Sequence, residues 1–163
     1  MHTLKKDDMK AIGKEVDNMG GVLKIWAIKP NEIVLNGNAV QLLNEGNVYE
    51  LQVTQDTASM AITMESDFKG HTYLHEAHGF VAGYNSDSAG YLAEMSRIKK
   101  FVIICQDGLG NLFLLGRPTI PLKFSKKLDT GDTTAAKRGF EISFSGRVHY
   151  HEILLTASPF GLS

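Results

Sequence analysis

The chain has 163 residues, a length typical of one domain, and 43% of them are apolar, which is too many for a disordered protein. Its 17 Lys and Arg against 18 Asp and Glu give a formal net charge of −1, so no electrostatic reason exists to bind bulk nucleic acid or an acidic membrane surface. The single cysteine, Cys105, lies in an apolar run, excludes a disulfide within the chain and argues against a cysteine-based metal site. We expect one domain over residues 1–163, of which residues 1–20 could form a helical extension.

The N-terminal segment predicts a helix over about residues 4–19. Met9, Ile12, Val16 and Met19 recur at spacings of three and four and would share one face, and two glycines follow them. No apolar stretch follows a basic start, so no signal peptide is predicted. No window approaches the roughly 18 apolar residues that a membrane helix needs.

The following part of the chain predicts strands. Residues 22–28 form an apolar and aromatic run that ends before Pro30, and residues 31–47 contain repeated Asn and Gly, which indicate turns and short strand pieces. Alternation of polar and apolar residues then begins, which is typical of antiparallel sheets with one buried face. It predicts strands over 48–53 and 60–65, a hairpin turn at 67–70 and a return strand over 71–81.

A helix over about residues 86–100 is the clearest element of the sequence. Residues 85–88 are Asn, Ser, Asp and Ser, whose side chains accept hydrogen bonds from the amides of a first turn. Tyr91, Leu92, Met95 and Ile98 form an apolar stripe, and basic residues end the segment where cations suit the helix dipole.

The C-terminal part predicts further strands in hairpins. The predicted elements are strand 101–105, hairpin loop 106–111, strand 112–115, strand 119–124, long loop 125–138, strand 139–145 and strand 147–155. The expected fold class is therefore α+β and mainly antiparallel β, as a sandwich or partly open barrel with one packed helix.

Two candidate catalytic or cofactor features lack the context that they need. Gly108 and Gly110 resemble the start of a dinucleotide fingerprint, but an apolar strand follows them where that motif requires a helix. No Gly-x-Ser-x-Gly nucleophile elbow is present. We expect a hairpin turn at the two glycines, no cofactor and no enzymatic activity.

The histidines allow two interpretations. His71 and His75 would point to the same side of one strand, as would His149 and His151 of another, so neighbouring strands could bring them together on zinc. The more common arrangement is a set of surface or partly buried strand histidines in ordinary hydrogen bonds. A zinc-dependent enzyme requires the first arrangement.

The long loop over 125–138 also has two interpretations. Loops of this length are usually functional or disordered, and this one would be the tip of an extended hairpin that adds its edge to a neighbouring sheet, or a plain mobile surface loop. Its charged residues are the candidate assembly contacts. These are Lys126, Lys127, Asp129, Asp132, Lys137 and Arg138.

One resemblance covers about residues 97–149. An apolar strand, an Asp-x-x-Gly-Asn turn at 107–111, a second apolar strand and Gly116 are followed by 118–124, by Leu-Asp-Thr-Gly at 128–131 and by 138–146. This order is similar to that of virion structural proteins encoded by tailed phages and prophages of the Bacteroidetes. The matching residues are turn and strand residues and carry no catalytic group.

The resemblance implies a tail or neck component, such as a tube, terminator or adaptor protein. Its partners would be copies of itself, in a homo-oligomeric ring or stacked rings, and other virion proteins. It would reside in the host cytoplasm during assembly and then in the virion, with no membrane contact and no sequence-specific nucleic-acid contact. The alternative from another class is a small β-rich ligand-binding module with an apolar interior pocket and no catalytic activity.

Overall fold

The computed structural model describes residues 10–12, 22–53, 57–82, 86–129, 139–156 and 158–160, and these contain twelve strands and one α-helix. The first strands are β1 Lys10–Ile12, β2 Val22–Ile28, β3 Ile33–Asn36, β4 Ala39–Leu42, β5 Tyr49–Gln52, β6 Ser59–Asp67 and β7 Gly70–Ala82. After helix α1 Ser86–Ile98 come β8 Lys100–Asp107, β9 Leu112–Leu115, β10 Leu122–Asp129, β11 Gly139–Val148 and β12 Ile153–Leu154.

Ten of these strands form one open sheet that splits into two halves. Its strand order is β1-β5-β2-β8-β10-β11-β7-β6, with β9 on β8 and β12 on β9. Only the first two residues of β10 pair with the start of β8, whereas the later residues of β8 pair with β9. We call β1, β5, β2, β8, β9 and β12 the first half-sheet, and β10, β11, β7 and β6 the second half-sheet. All strand pairs in the ten-stranded sheet are antiparallel except the pair of β1 with β5.

The main core joins the inward faces of both half-sheets and α1. Phe101 of β8 packs edge-on against Phe124 of β10 and Phe144 of β11, with ring centroids 6.1 and 6.2 Å apart. A second core covers the other face of the first half-sheet beneath the β3–β4 hairpin, and in it Trp26 stacks on Phe160 at 4.5 Å. These two apolar layers account for the layered, sandwich-like form of the fold.

Helix α1 confirms the prediction for about residues 86–100. Its apolar stripe buries Leu92 and Met95 in the main core, and the amide of Lys99 donates to the carbonyl of Met95 at the helix end. Tyr49 of β5 donates its hydroxyl to Glu94 of α1, which ties the helix to the first half-sheet. Burial, followed by the Glu94 carboxylate, raises the pKa of Tyr49. In the described part of the chain no helix has the length and apolarity to cross a membrane.

The predicted N-terminal helix over 4–19 is wrong where the structure describes it. Lys10–Ile12 forms β1, which pairs in parallel with β5 from Lys10↔Tyr49 to Ile12↔Leu51. Pairing with a distant strand satisfies the backbone groups of these residues and overrides a helical spacing of four apolar side chains. The remainder of that prediction, residues 4–9 and 13–19, lies outside the described residues.

The predicted loop over 125–138 is wrong for its first five residues. β10 continues to Asp129 and pairs with β11 from Lys123↔Ser145 to Asp129↔Gly139. The Ser and Lys residues of this segment are typical of a loop. Phe124 and Leu128, however, lie two residues before and two residues after Lys126, and this period of two fits a strand. Residues 130–138 lie outside the described part of the chain.

Two other predicted strands have different bounds. The strand predicted at 119–124 starts at Leu122, because Arg117 and Ile120 exchange backbone hydrogen bonds of 3.0 Å in a turn. The strand predicted over 147–155 is interrupted, since β11 ends at Val148 and β12 contains only Ile153–Leu154.

Candidate functional site

The edge of the second half-sheet is β6, whose outer side pairs with no other strand in the described part of the chain. β6 is the last strand in the order and, among the described residues, pairs with β7 alone, from Ser59↔His78 to Asp67↔Gly70. Its first six residues, 59–64, include no charged residue and no proline. Edge strands of soluble proteins normally carry charges, prolines or bulges that prevent pairing with another chain. This edge therefore has the properties of a pairing site.

The hairpin between β6 and β7 exposes two large apolar side chains. Met60 and Ile62 pack partly on the main core, whereas Met64 lies beyond the core on the same face and is 58% exposed. Phe68 lies in the two-residue turn and is 95% exposed. The Asp67 carboxylate accepts from the amide of Lys69 at 2.7 Å and orders this turn. The local structure therefore presents Phe68 to solvent on an ordered tip.

A second arm is formed by β10 and β11. Leu128, on the same face as the buried Phe124, is 48% exposed near the end of this arm. Lys126 lies between them, with its ammonium 5.3 Å from the ring centroid of Phe140. The arm thus repeats the pattern of the β6–β7 hairpin, with a buried base and an apolar side chain exposed toward the tip.

The candidate assembly residues divide between this arm and the undescribed segment. Lys126 and Lys127 are exposed on β10, and Asp129 ends that strand. Asp132, Lys137 and Arg138 lie outside the described residues. The structure therefore places three of the six on a strand instead of in a loop.

The turn between β8 and β9 contains the two glycines that resemble a nucleotide motif. The Asp107 carboxylate accepts from the amides of Leu109 and Asn111 at 2.9 and 2.8 Å and from the Asn111 side chain at 3.1 Å. Its slight burial raises the pKa of Asp107, but these hydrogen bonds outweigh that effect and lower it. Gly110 has a φ of 87°, which suits glycine. The predicted hairpin turn is confirmed.

His75 is a buried histidine whose two ring nitrogens are both bonded. Its Nε2–H donates to the carbonyl of Tyr150 at 2.7 Å, and its Nδ1 accepts from the amide of Gly116 at 3.1 Å. Burial, together with the nearby Arg117 and His151, lowers the pKa of His75 against the opposing effect of the Tyr150 carbonyl and Glu152. The neutral imidazole therefore holds β7 to the turn before β10 and to the segment after β11.

The other candidate zinc ligands do not join His75 in a metal site. His71 is exposed and bonded to the Ser66 hydroxyl at 2.8 Å, and His149 and His151 are exposed, His151 with Nδ1 bonded to the carbonyl of Glu152 at 2.8 Å. Within the described ranges, no group of three or more His, Cys, Asp or Glu side chains could hold a metal ion.

Arg117 is a structural residue that sequence reasoning missed. It is 9% exposed, and its guanidinium donates to the carbonyl of Gly116 at 2.7 Å and to that of His151 at 2.6 Å. It also lies 5.3 Å from the ring centroid of Tyr150. Burial lowers the pKa of Arg117, against the opposing effects of Tyr150 and Glu152. Arg117 and His75 thus hold residues 149–152 against the sheet, and no local pattern around Arg117 indicates this role.

Comparison with known proteins found no match: no family model, no curated protein and no solved structure is similar to the chain.

Proposed function

We propose that this protein is a structural subunit of a tailed-phage virion, in the tail or neck, and that it assembles with copies of itself and with other virion proteins. The observation that carries the assembly role is the β6–β7 hairpin. It combines a free, uncharged edge over residues 59–64 with the exposed side chains of Met64 and Phe68. The phage context comes from the sequence resemblance over residues 97–149.

Several features of the hairpin support a contact between proteins. A free backbone edge offers unpaired N–H and C=O groups to another strand, and main-chain pairing supplies affinity. Aromatic residues and Met are enriched in protein interfaces, where they fill pockets on the partner. Phe68 at 95% exposure contributes almost nothing to the core of its own chain, so its burial by a neighbour would add stabilisation that folding alone leaves unused.

The open sheet also supports ring formation. A ring of identical subunits requires two different surfaces that meet head to tail. The strand order of this sheet begins with β1 and ends with β6, so its two ends present different strands. A hairpin arm on one subunit could therefore contact a different surface on the next subunit, and repetition of that contact by rotation would close a ring.

The packing of the main core favours this role over a ligand-binding module. Phe124 and Phe144 approach to 5.1 Å between ring centroids, and Phe101 contacts both rings. Tyr49 extends the cluster, with its ring centroid 5.9 Å from that of Phe101. Aromatic rings thus occupy the place between the half-sheets where an interior pocket of a β-rich binding module would lie.

The experiment compares Phe68→Ser with Leu109→Ser by sedimentation velocity and negative-stain microscopy of purified protein. Both side chains lie in hairpin turns and are exposed to similar extents, 95% and 89%, so both substitutions should leave the monomer folded. We expect wild type and Leu109→Ser to form rings or tubes, and Phe68→Ser to require about tenfold more protein, the effect of losing about 1.4 kcal/mol at each contact. Equal assembly of all three proteins would contradict the role of this hairpin.

A further inference from the structure

The backbone groups that face the free edge of β6 can be assigned from the hairpin. Asp67 and Gly70 enclose a two-residue turn, so this closing pair exchanges both of its backbone hydrogen bonds. Such pairs alternate along an antiparallel ladder, and the odd-numbered residues of β6 therefore bond to β7. The N–H and C=O groups of Met60, Ile62 and Met64 point away from β7, toward the open edge.

We propose that β6 pairs antiparallel with β6 of a second copy of this chain, about a two-fold axis at Thr63. In this register Ile62 lies opposite Met64 of the second copy, and Met60 lies opposite Ser66 of the second copy. All four residues are even-numbered, so their outward backbone groups meet and can form ladder hydrogen bonds. Thr63 then lies opposite Thr63 of the second copy, and the two residues form no backbone hydrogen bonds with each other, because each bonds to its own β7.

The distribution of charge along β6 makes the strand compatible with a second copy of itself in the antiparallel direction and not in the parallel one. The acidic residues, Glu65 and Asp67, both lie at the turn end of the strand. Antiparallel pairing about Thr63 places them opposite Ala61 and Ser59 of the second copy, which are uncharged. Parallel pairing in register would place each carboxylate beside its own counterpart, and like charges opposite one another destabilise a sheet.

The same register covers the apolar side chains that the single chain leaves exposed. Met60, Ile62 and Met64 share one face of β6, and Met64 is 58% exposed. Opposite Ile62 of the second copy, Met64 gains an apolar cross-strand neighbour at about 5 Å between Cβ atoms. The contact therefore pairs both the backbone edge and the apolar face of the hairpin.

This inference rests on the free β6 edge that also supports the proposed assembly role, and it goes further by naming a second copy as the partner of that edge. A two-fold contact uses the same surface on both subunits and cannot close a ring, so in a virion it would join subunits of two stacked rings. It also does not use Phe68, which lies in the turn. Failure of the edge contact would leave the Phe68 experiment unaffected, and failure of that experiment would leave the edge contact intact.

Cysteine cross-linking tests the register. The introduced thiol of Thr63→Cys would be the reactive one, because Cys105 is fully buried. Opposed residues without backbone hydrogen bonds have Cα atoms about 4.5 Å apart, within reach of a disulfide. The matched control is Glu65→Cys on the same strand. In the proposed register position 65 lies opposite position 61 of the second copy, which puts the two cysteines roughly 13 Å apart along the strand.

We expect mild oxidation to convert Thr63→Cys to a disulfide-linked dimer at least about tenfold faster than Glu65→Cys, because only the first pair meets disulfide geometry. Equal rates, or a faster reaction of Glu65→Cys, would overturn the proposed register. A wild-type protein that sediments as a monomer at the concentration used for cross-linking would overturn the contact itself.

An edge charge provides an independent measurement. Met64→Lys places a cation at an exposed position of the open edge, where it opposes pairing with another strand. Ser145→Lys is the control, on an exposed position of β11 inside the half-sheet. By sedimentation equilibrium we expect Met64→Lys to raise the dimer dissociation constant at least about tenfold and Ser145→Lys to leave it unchanged. Equal dissociation constants would contradict the edge contact.

Discussion

Replacing His75 by glutamine should remove a pH dependence of folding stability that wild type shows as the pH falls below about 6.5. In the folded chain the imidazole is neutral, because burial disfavours its charged form, and protonation would also end its acceptance of the Gly116 amide and add a charge beside Arg117. The folded-state pKa therefore lies below the ordinary value of about 6.5. The titratable groups that face the ring are Arg117, Glu152 and His151; Arg117 and His151 lower the pKa of His75, and Glu152 opposes them.

The sign and size of the effect follow from the lowered pKa of His75. As the pH falls below about 6.5, the unfolded chain takes up a proton that the folded chain does not, so the free energy of unfolding decreases. The stabilisation is complete above the unfolded pKa and is lost as the pH falls through the folded pKa. One proton sets a maximum slope of about 1.4 kcal/mol per pH unit.

Urea unfolding of wild type and His75→Gln at pH 8, 7, 6 and 5 measures this effect. At pH 8 we expect the variant to be less stable by about 1–3 kcal/mol, because the amide of Gly116 or the carbonyl of Tyr150 loses a partner. This difference should shrink below pH 6.5. His78→Gln is the control, since His78 is exposed on the opposite face of the same strand. A constant difference between wild type and His75→Gln over this range would refute the argument.

Urea unfolding midpoints also test the packing of the fold at three positions. Gly139→Ala should destabilise the folded chain by about 1–3 kcal/mol, because an added Cβ would lie 2.1 Å from the carbonyl oxygen of Val81. An unchanged unfolding midpoint would contradict the register between β7 and β11. Gly90→Ala should stabilise by about 1 kcal/mol, since no heavy atom lies within 4 Å of its Cβ position in α1, and a loss of stability would argue against that helix. Phe144→Ala should cost about 3–5 kcal/mol through the cavity left beside Phe101, whereas a cost below 1 kcal/mol would place Phe144 outside the core.

The elements that the sequence predicted well have local signals. Strand β2 has the predicted bounds 22–28, since an apolar run ended by Pro30 marks both of its limits. Helix α1 begins within the run of Ser and Asp residues that predicted its start, and its apolar stripe continues to Ile98. The turns at 67–70 and 108–110 lie between runs of strand residues, so turn chemistry and alternation indicated the same hairpins.

The elements that were not predicted from the sequence depend on residues far away along the chain. β1 is a strand because β5 lies beside it, and nothing within residues 10–12 indicates that neighbour. Arg117 and His75 act on carbonyl groups more than 30 residues away along the chain. The proposed role of β6 in assembly depends on its place at the end of the strand order, which alternation within the strand cannot show. The features that the sequence missed therefore depend on which strands pair with which, and that order is not encoded in any local segment of the chain.

Negative-stain electron microscopy of the purified wild-type protein at high concentration tests the assembly role most directly. We expect rings or tubes of regular diameter, whose symmetry would indicate a tube, terminator or adaptor position in the tail or neck. Dispersed monomers at the same concentration, with sedimentation confirming a single species of one chain, would contradict self-assembly through the exposed edge and tip of the β6–β7 hairpin.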